Sequence, residues 1–277
     1  MKIGIISFAH LHAYSYLEKL LENEEVDWIG FYDENEKRRN KICEEYNIKG
    51  YSNIKDLMCN NLDGIIITSE NSRHSQHVME IAKYQVPILC EKPLADNLES
   101  AKKMIEVCEK QNVDLGVCYP VRYLSSIISL KNKIQEGVIG KIKHITASNH
   151  GSFPGGWFAN PELSGGGAII DHTVHIADII YWMTGAKAEK VVAMTENMRD
   201  LPVEDLALLN IEWDQDFDLT LDASWSRNDH YPTWGDVKFK IYGTKGVIEV
   251  DSLNQNNIIY SDQKDKAAYD YWGDDMD

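Results

Sequence analysis

The chain has 277 residues, 44 acidic against 28 basic side chains, a formal net charge of -16 and a hydrophobic share of 43%. That balance offers no basic footprint to a nucleic acid or an anionic membrane, and no apolar run approaches the ~18 residues that a membrane span requires. Cys43, Cys59, Cys90, Cys108 and Cys118 contain no Cys-x-x-Cys pair, so neither a disulfide framework nor a cysteine zinc site is favoured.

The N-terminus enters a strand pattern at once, Lys2-Ile3-Gly4-Ile5-Ile6, with no secretory signal before it, so a cytoplasmic protein is expected. Up to about residue 120, short β-branched runs alternate with longer amphipathic ones, the signature of βαβ units and a parallel sheet. Strands are expected from Ile3 to Ser7, Trp28 to Tyr32, Gly64 to Thr68, Pro87 to Cys90 and Asp114 to Cys118. Helices are expected from Ala13 to Leu21, Glu36 to Tyr46, Gln76 to Lys83 and Leu98 to Gln111. Such a sheet binds ligands beyond the carboxyl ends of its strands.

The first strand-to-helix turn, Ser7-Phe8-Ala9-His10-Leu11-His12, stands where a dinucleotide fingerprint would carry three glycines. Ser7, Ala9 and His12 occupy the glycine places; the first two are small enough for a close backbone approach. Asp33 ends the second strand. It can accept hydrogen bonds from ribose hydroxyls and repel a 2'-phosphate, which would make the cofactor NAD rather than NADP, or it can cap the helix before Glu36. His10 and His12 form a His-x-His pair of the kind some zinc sites use, but no completing ligand stands near them in sequence and no resident metal is expected. Lys92, in Glu91-Lys92-Pro93 after a strand, is placed to hydrogen-bond a substrate hydroxyl as alkoxide character develops, or is an ordinary lysine in a proline turn.

The second half reads as a helix from Leu124 to Glu136, then strands at Ile142 to Asn149, Val191 to Glu196, Ala207 to Trp213, Leu219 to Trp225, Val237 to Tyr242 and Val247 to Val250. Gly243-Thr244-Lys245-Gly246 reads as a hairpin turn. Within it, Gly165-Gly166-Gly167 opens a helical pattern on which Asp171, His175 and Asp178 share one face. A carboxylate one turn before a histidine suits a general base; the same residues also suit a helix start with core histidines. Asn149, His150, Trp157, Phe158, Trp225, Arg227 and His230 mix flat surfaces with hydrogen-bonding groups and are expected to wall a polyhydroxylated substrate.

Thr68-Ser69-Glu70-Asn71-Ser72-Arg73-His74, Glu91-Lys92-Pro93 and the triple glycine with Asp171-x-x-x-His175-x-x-Asp178 together resemble the Gfo/Idh/MocA oxidoreductase family, over residues 1 to about 250. The resemblance implies a Rossmann domain over 1–120 and an α+β domain over 121–277, whose open, mainly antiparallel sheet makes the contacts of a homodimer or homotetramer. It implies a nicotinamide cofactor held by Ser7, Phe8, Ala9, His10, His12, Asp33, Thr68, Asn71, His74, Glu91 and Lys92. Lys92, Asp171 and His175 take the family's catalytic positions, and Arg122, Asn149, Trp157 and His172 join Asp171 and His175 around a carbohydrate. The glycine-poor turn departs from the family, and the chain stops at Asp277 where members continue, as a shortened or a truncated member. The activity expected is hydride transfer from a secondary hydroxyl of a sugar or polyol; a non-catalytic dinucleotide- or sugar-binding regulatory protein and an NAD-using glycosidase are the alternatives on this fold.

Overall fold

The structure is a computed structural model. It describes residues 1–228, 230 and 235–252, and the backbone alone of the strands at Asn256–Ser261 and Ala268–Tyr271. The chain forms two compact units, Met1–Cys118 with Glu162–Gly165, and Tyr119–Pro161 with Gly166–Asp277.

In the first unit the elements run β1 (Lys2–Ile6), α1 (His12–Glu22), β2 (Asp27–Tyr32), α2 (Glu36–Tyr46), β3 (Gly50–Tyr51), α3 (Ile54–Met58), β4 (Gly64–Ile67), α4 (His74–Ile81), β5 (Ile88–Cys90), α5 (Leu98–Gln111) and β6 (Leu115–Val117). The six strands pair in parallel in the order β3-β2-β1-β4-β5-β6. Side chains alternate across a strand, so Ile5 and Ile66 pack with Phe8, Leu17, Phe31 and Ile42, while Ile6, Ile65 and Ile67 join Val78, Ile81 and Met104. Burial on both faces explains why these strands read as unbroken apolar runs. The strand order reverses between β1 and β4, and the turn after β1 therefore opens at the crevice where doubly wound sheets take their ligands.

The second unit contains α6 (Ser125–Gln135), β7 (Ile142–Ser152), α7 (Pro161–Ser164), α8 (Ala168–Thr184), β8 (Ala188–Glu196), β9 (Leu206–Trp213), β10 (Phe217–Arg227), β11 (Lys238–Gly243), β12 (Gly246–Asp251), β13 (Asn256–Ser261) and β14 (Ala268–Tyr271). They build an eight-stranded sheet, β14-β13-β12-β11-β7-β10-β9-β8, parallel only at β7 and β10. One face carries Ile145, Ala147, Leu209, Leu219, Leu221 and Phe239 into a core shared with Ile127 and Leu130 of α6 and Ile176, Ile179 and Ile180 of α8. On β8 and β9 the other face exposes Val192, Met194 and Leu208. The fold class expected from the sequence is the one found. Among the described residues no helix is long and apolar enough to cross a membrane.

Candidate functional site

The β1–α1 turn is held by its own side chains. Ser7 has φ 69°, the left-handed backbone that a glycine would adopt without strain, and so does a glycine's work at the first glycine place. The Phe8 N–H donates to Asp33 Oδ2 at 2.8 Å, the Ala9 N–H to Ser7 Oγ at 3.2 Å, and the His12 N–H to His10 Nδ1 at 3.1 Å. The His10 N–H donates to the Thr68 carbonyl at 3.0 Å, and the Thr68 hydroxyl to the Ser7 carbonyl. His10 thus serves as an imidazole cap for a helix whose N-terminal residues provide no side-chain cap of their own.

Asp33 does not take the helix-cap role expected as one of its two alternatives. Asn35 caps α2, its Oδ1 accepting the Arg38 N–H at 3.0 Å. The Asp33 carboxylate is fully buried and accepts the Asn35 N–H at 2.9 Å, Arg38 Nε–H at 2.7 Å and Arg38 Nη2–H at 3.0 Å, in addition to Phe8. Arg38 also reaches Ser7 Oγ at 3.2 Å, and Arg39 donates to the Asp33 carbonyl. The end of β2 therefore carries guanidinium groups that sequence reasoning passed over. Their signal was there: Arg38 lies in the first turn of the helix that follows the strand-end acid.

At the end of β5 the Glu91 carboxylate is buried, with Oε1 facing His12 Nδ1 at 3.0 Å and accepting the Tyr16 hydroxyl, while Oε2 accepts the Lys92 N–H at 2.9 Å. Burial alone would raise its pKa. The His12 hydrogen bond and the charges of His10, His12 and Lys92 outweigh that and bring it down to about 2. Burial, with Glu91 beside it, pushes the Tyr16 phenol well up, and burial carries the Cys118 thiol up to about 12. Lys92 is 5% exposed, and the peptide bond that joins it to Pro93 is cis.

The side chains of several residues expected to contact the cofactor have partners within the protein. The Phe8 ring packs edge-on against Tyr14 and Phe31. Thr68 is fully buried against the turn backbone, and Asn71 Nδ2 donates to the Ser164 carbonyl at 2.9 Å. The His74 ring lies between the Pro93 and Ser69 carbonyls, 3.0 Å from each, with its pKa lowered by burial. Strand and helix ends near a ligand crevice contribute backbone there as readily as side chains, and residue type alone does not distinguish the two.

In the second unit, the glycine run exists because α8 starts against the segment around Glu204. A Cβ on Gly167 would lie 1.9 Å from the Glu204 carbonyl oxygen. Glu204 Oε1 accepts the Gly167 and Ile169 N–H groups at 3.0 and 3.2 Å, and its carbonyl accepts the Ala168 N–H, so one carboxylate caps the positive end of α8. The next turns carry Asp171, His172 and His175, all buried to within 8% exposure. Asp171 Oδ2 accepts Trp225 Nε1–H at 2.9 Å and lies 3.4 Å from His172 Nε2. His172 Nδ1 donates to the Asn149 carbonyl at 2.7 Å, an acceptor that puts the proton on Nδ1. The His175 ring sits edge-on to Tyr119, with centroids 6.3 Å apart.

The expected substrate wall divides. Asn149 stays beside His172, but strand alternation sends His150 to the opposite face of β7, where it binds Asp236 at 2.9 Å and Asp222 at 3.0 Å. Arg227 pairs with the same Asp236 at 2.6 Å, and His150, Arg227, Asp236, Ser226 and Lys238 line a separate cavity of ≈ 260 Å³. Trp225 is fully buried; it packs with Phe158, Ala168 and Val203 and works through its indole N–H on Asp171. Trp157 stacks on Phe158, and His230 is exposed. Arg122 forms a two-pronged pair with Asp178, which raises its pKa, so neither Arg122 nor Asp178 acts alone.

Residues 1–119 match the model described as the oxidoreductase family, NAD-binding Rossmann fold, and residues 127–249 match the GFO/IDH/MocA C-terminal domain. The chain belongs to the Gfo/Idh/MocA oxidoreductase family. A myo-inositol 2-dehydrogenase of Thermotoga maritima is 24% identical over 276 residues, 95% of this chain and 79% of that protein. The rhizopine catabolism protein MocA of Rhizobium meliloti is 33% identical over 140 residues, 50% of this chain and 43% of that protein. Levoglucosan dehydrogenase in complex with NADH and levoglucosan has a TM-score of 0.83 at 18% identity, covering 99% of this chain and 80% of that one. The WlbA dehydrogenase from Bordetella pertussis in complex with NADH and UDP-GlcNAcA gives 0.81 at 20% identity, covering 91% and 73%. At these identities the solved structures establish the fold.

Proposed function

We propose that this family member is an NAD(P)-dependent dehydrogenase acting on a secondary hydroxyl of a sugar, polyol or related carbohydrate derivative. The observation that carries the reading is the buried Asp171–His172–His175 group at the capped start of α8, in a chain whose first unit has a nucleotide-type strand order. The turn after β1 fits a dinucleotide: it lies at the switch point, Ser7 adopts a glycine-like φ and Ala9 is small. A bound nicotinamide supplies the hydride acceptor. His175 takes the hydroxyl proton, Asp171 stabilises the imidazolium that results, and the Lys92 ammonium hydrogen-bonds the carbinol oxygen as negative charge builds on it. His172, its proton fixed on Nδ1 by Asn149, orients the substrate.

Since Arg38 neutralises Asp33, the ribose corner does not repel a 2'-phosphate, and we place the choice between NAD and NADP on Arg38. The test of activity is reduction of NAD⁺ and NADP⁺ by a panel of sugars and polyols. Lys92→Ala and His175→Ala should each lose roughly 10²- to 10⁴-fold, the usual scale of proton-transfer catalysis. Equal formation of reduced nicotinamide by wild type and Lys92→Ala overturns the assignment. A second reading, a non-catalytic binding protein, draws on the internal engagement of the Phe8, Ala9, His10 and His12 N–H groups. Calorimetry separates the two: a folded chain that binds neither dinucleotide is not a dehydrogenase.

A further inference from the structure

Among the described residues, His10, His12 and Glu91 each offer a ligand atom within 4.8 Å of the other two. Sequence supplies the His-x-His pair alone. The completing carboxylate arrives 79 residues after His12, because β5 runs parallel to β4 and β4 to β1, bringing the end of β5 beside the turn that follows β1. No completing ligand stands near the pair in sequence, and the topology supplies one from a distance.

We propose that His10, His12 and Glu91 form a binding site for a divalent transition-metal ion of the zinc class, with the Tyr16 hydroxyl beside it. Two imidazoles and one carboxylate make a borderline nitrogen–oxygen donor set of the kind that Zn²⁺, Ni²⁺ and Co²⁺ take, and they suit Ca²⁺ or Mg²⁺ poorly. The ligands are largely pre-positioned. His12 Nδ1 and Glu91 Oε1 are 3.0 Å apart, close to the roughly 3.3 Å expected between neighbouring ligands around tetrahedral zinc. Glu91 is oriented by the Lys92 N–H on its other oxygen, and the His10 and His12 rings meet edge to face with centroids 4.4 Å apart. His10 and Glu91 are buried while the His12 side chain is 35% exposed, so an ion enters past His12 and keeps a coordination position open to water. His10 Nδ1 accepts the His12 N–H, which leaves the ring proton on Nε2. Loading a metal costs that hydrogen bond and the one between His12 and Glu91, a small loss against transition-metal bonds.

The measurement uses the untagged full-length chain, stripped with a chelator and titrated with ZnCl₂ and CoCl₂ in the absence of dinucleotide, so that its outcome is independent of the dehydrogenase reading. One equivalent is expected to bind, and the Co²⁺ form should show visible d–d absorption of a nitrogen–oxygen site. Affinity should drop at least about a hundredfold in Glu91→Gln and in His12→Ala. Glu91 is buried and its loss endangers folding, so His12→Ala at the partly exposed helix start, checked by circular dichroism, carries the test. Failure of the wild-type chain to bind a stoichiometric ion, or equal affinity in folded His12→Ala, overturns the proposal.

Discussion

Asp33 shows how much of a side chain's surroundings its type leaves unsaid at a single position. A carboxylate ending the second strand of such a sheet ordinarily meets the ribose, yet here its oxygens hold the β1–α1 turn through Phe8 and the first turn of α2 through Asn35 and Arg38. Removing the guanidinium bares a negative charge where a 2'-phosphate would lie. Arg38→Ala should therefore weaken NADP⁺ binding by about 10- to 100-fold, the worth of a charge-assisted hydrogen bond, and leave NAD⁺ within a fewfold. The ratio of the two dissociation constants is the readout, since misfolding would lower both alike; an unchanged ratio removes Arg38 from cofactor choice. At this scale the motifs Glu91-Lys92-Pro93 and Asp171-x-x-x-His175 were legible because chemistry concentrates in them. The partners that set their surroundings, Tyr16 on Glu91 and Trp225 on Asp171, lie 75 and 54 residues away in sequence and only folding brings them near.

Among the elements, α2 and α5 were read from the sequence at the limits they have, Glu36 to Tyr46 and Leu98 to Gln111; Asn35 and Asn97 cap them, where the sequence had offered Asp33 for the first. β3 and α3 were missed; two and five residues are too few to show a period. β13 and β14 also escaped the reading. The residues 272–277 that close the expected truncation lie outside those described. The glycine run was recognised as a helix start, but its reason was not, since Glu204 is remote in sequence. Gly167→Ala should push α8 away from the Glu204 carbonyl and destabilise the chain by about 1–3 kcal/mol, the cost of overpacking a tight site. Glu204→Gln, which keeps an acceptor and removes the charge, should cost well under half of that. Thermal melts of the two variants check the order, and a Gly167→Ala melting point within a degree of wild type would contradict the close approach.

For the molecule as a whole, a histidine in each unit sets one side of the pH dependence around neutrality. In the first unit, burial depresses His77 from 6.5 to about 4, with His74 adding repulsion. The unfolded chain then gains a proton below pH 6.5 that the folded chain refuses, so stability falls from about pH 6.5 down to about 4. In the second unit His150 is raised to about 9 by its hydrogen bonds to Asp222 and Asp236, which outweigh desolvation. Its contribution is complete below pH 6.5 and is lost as pH rises through about 9. Burial would raise Asp236, but the His150 hydrogen bonds bring it down to about 2, so its share is present above its ordinary 3.8 and disappears only as pH falls toward 2. Melting temperature should therefore be highest around pH 6 to 7 as far as these groups are concerned. His77→Gln should flatten the limb between pH 6.5 and 4 and leave the alkaline limb standing, whereas His150→Gln should flatten the decline from 6.5 to 9 and leave the limb between 6.5 and 4. Calorimetric melts across that range decide it even if both units unfold in a single transition, because each variant removes a different limb; a His150→Gln protein with the wild-type alkaline slope would show that the Asp222–His150–Asp236 bridge does not contribute to stability.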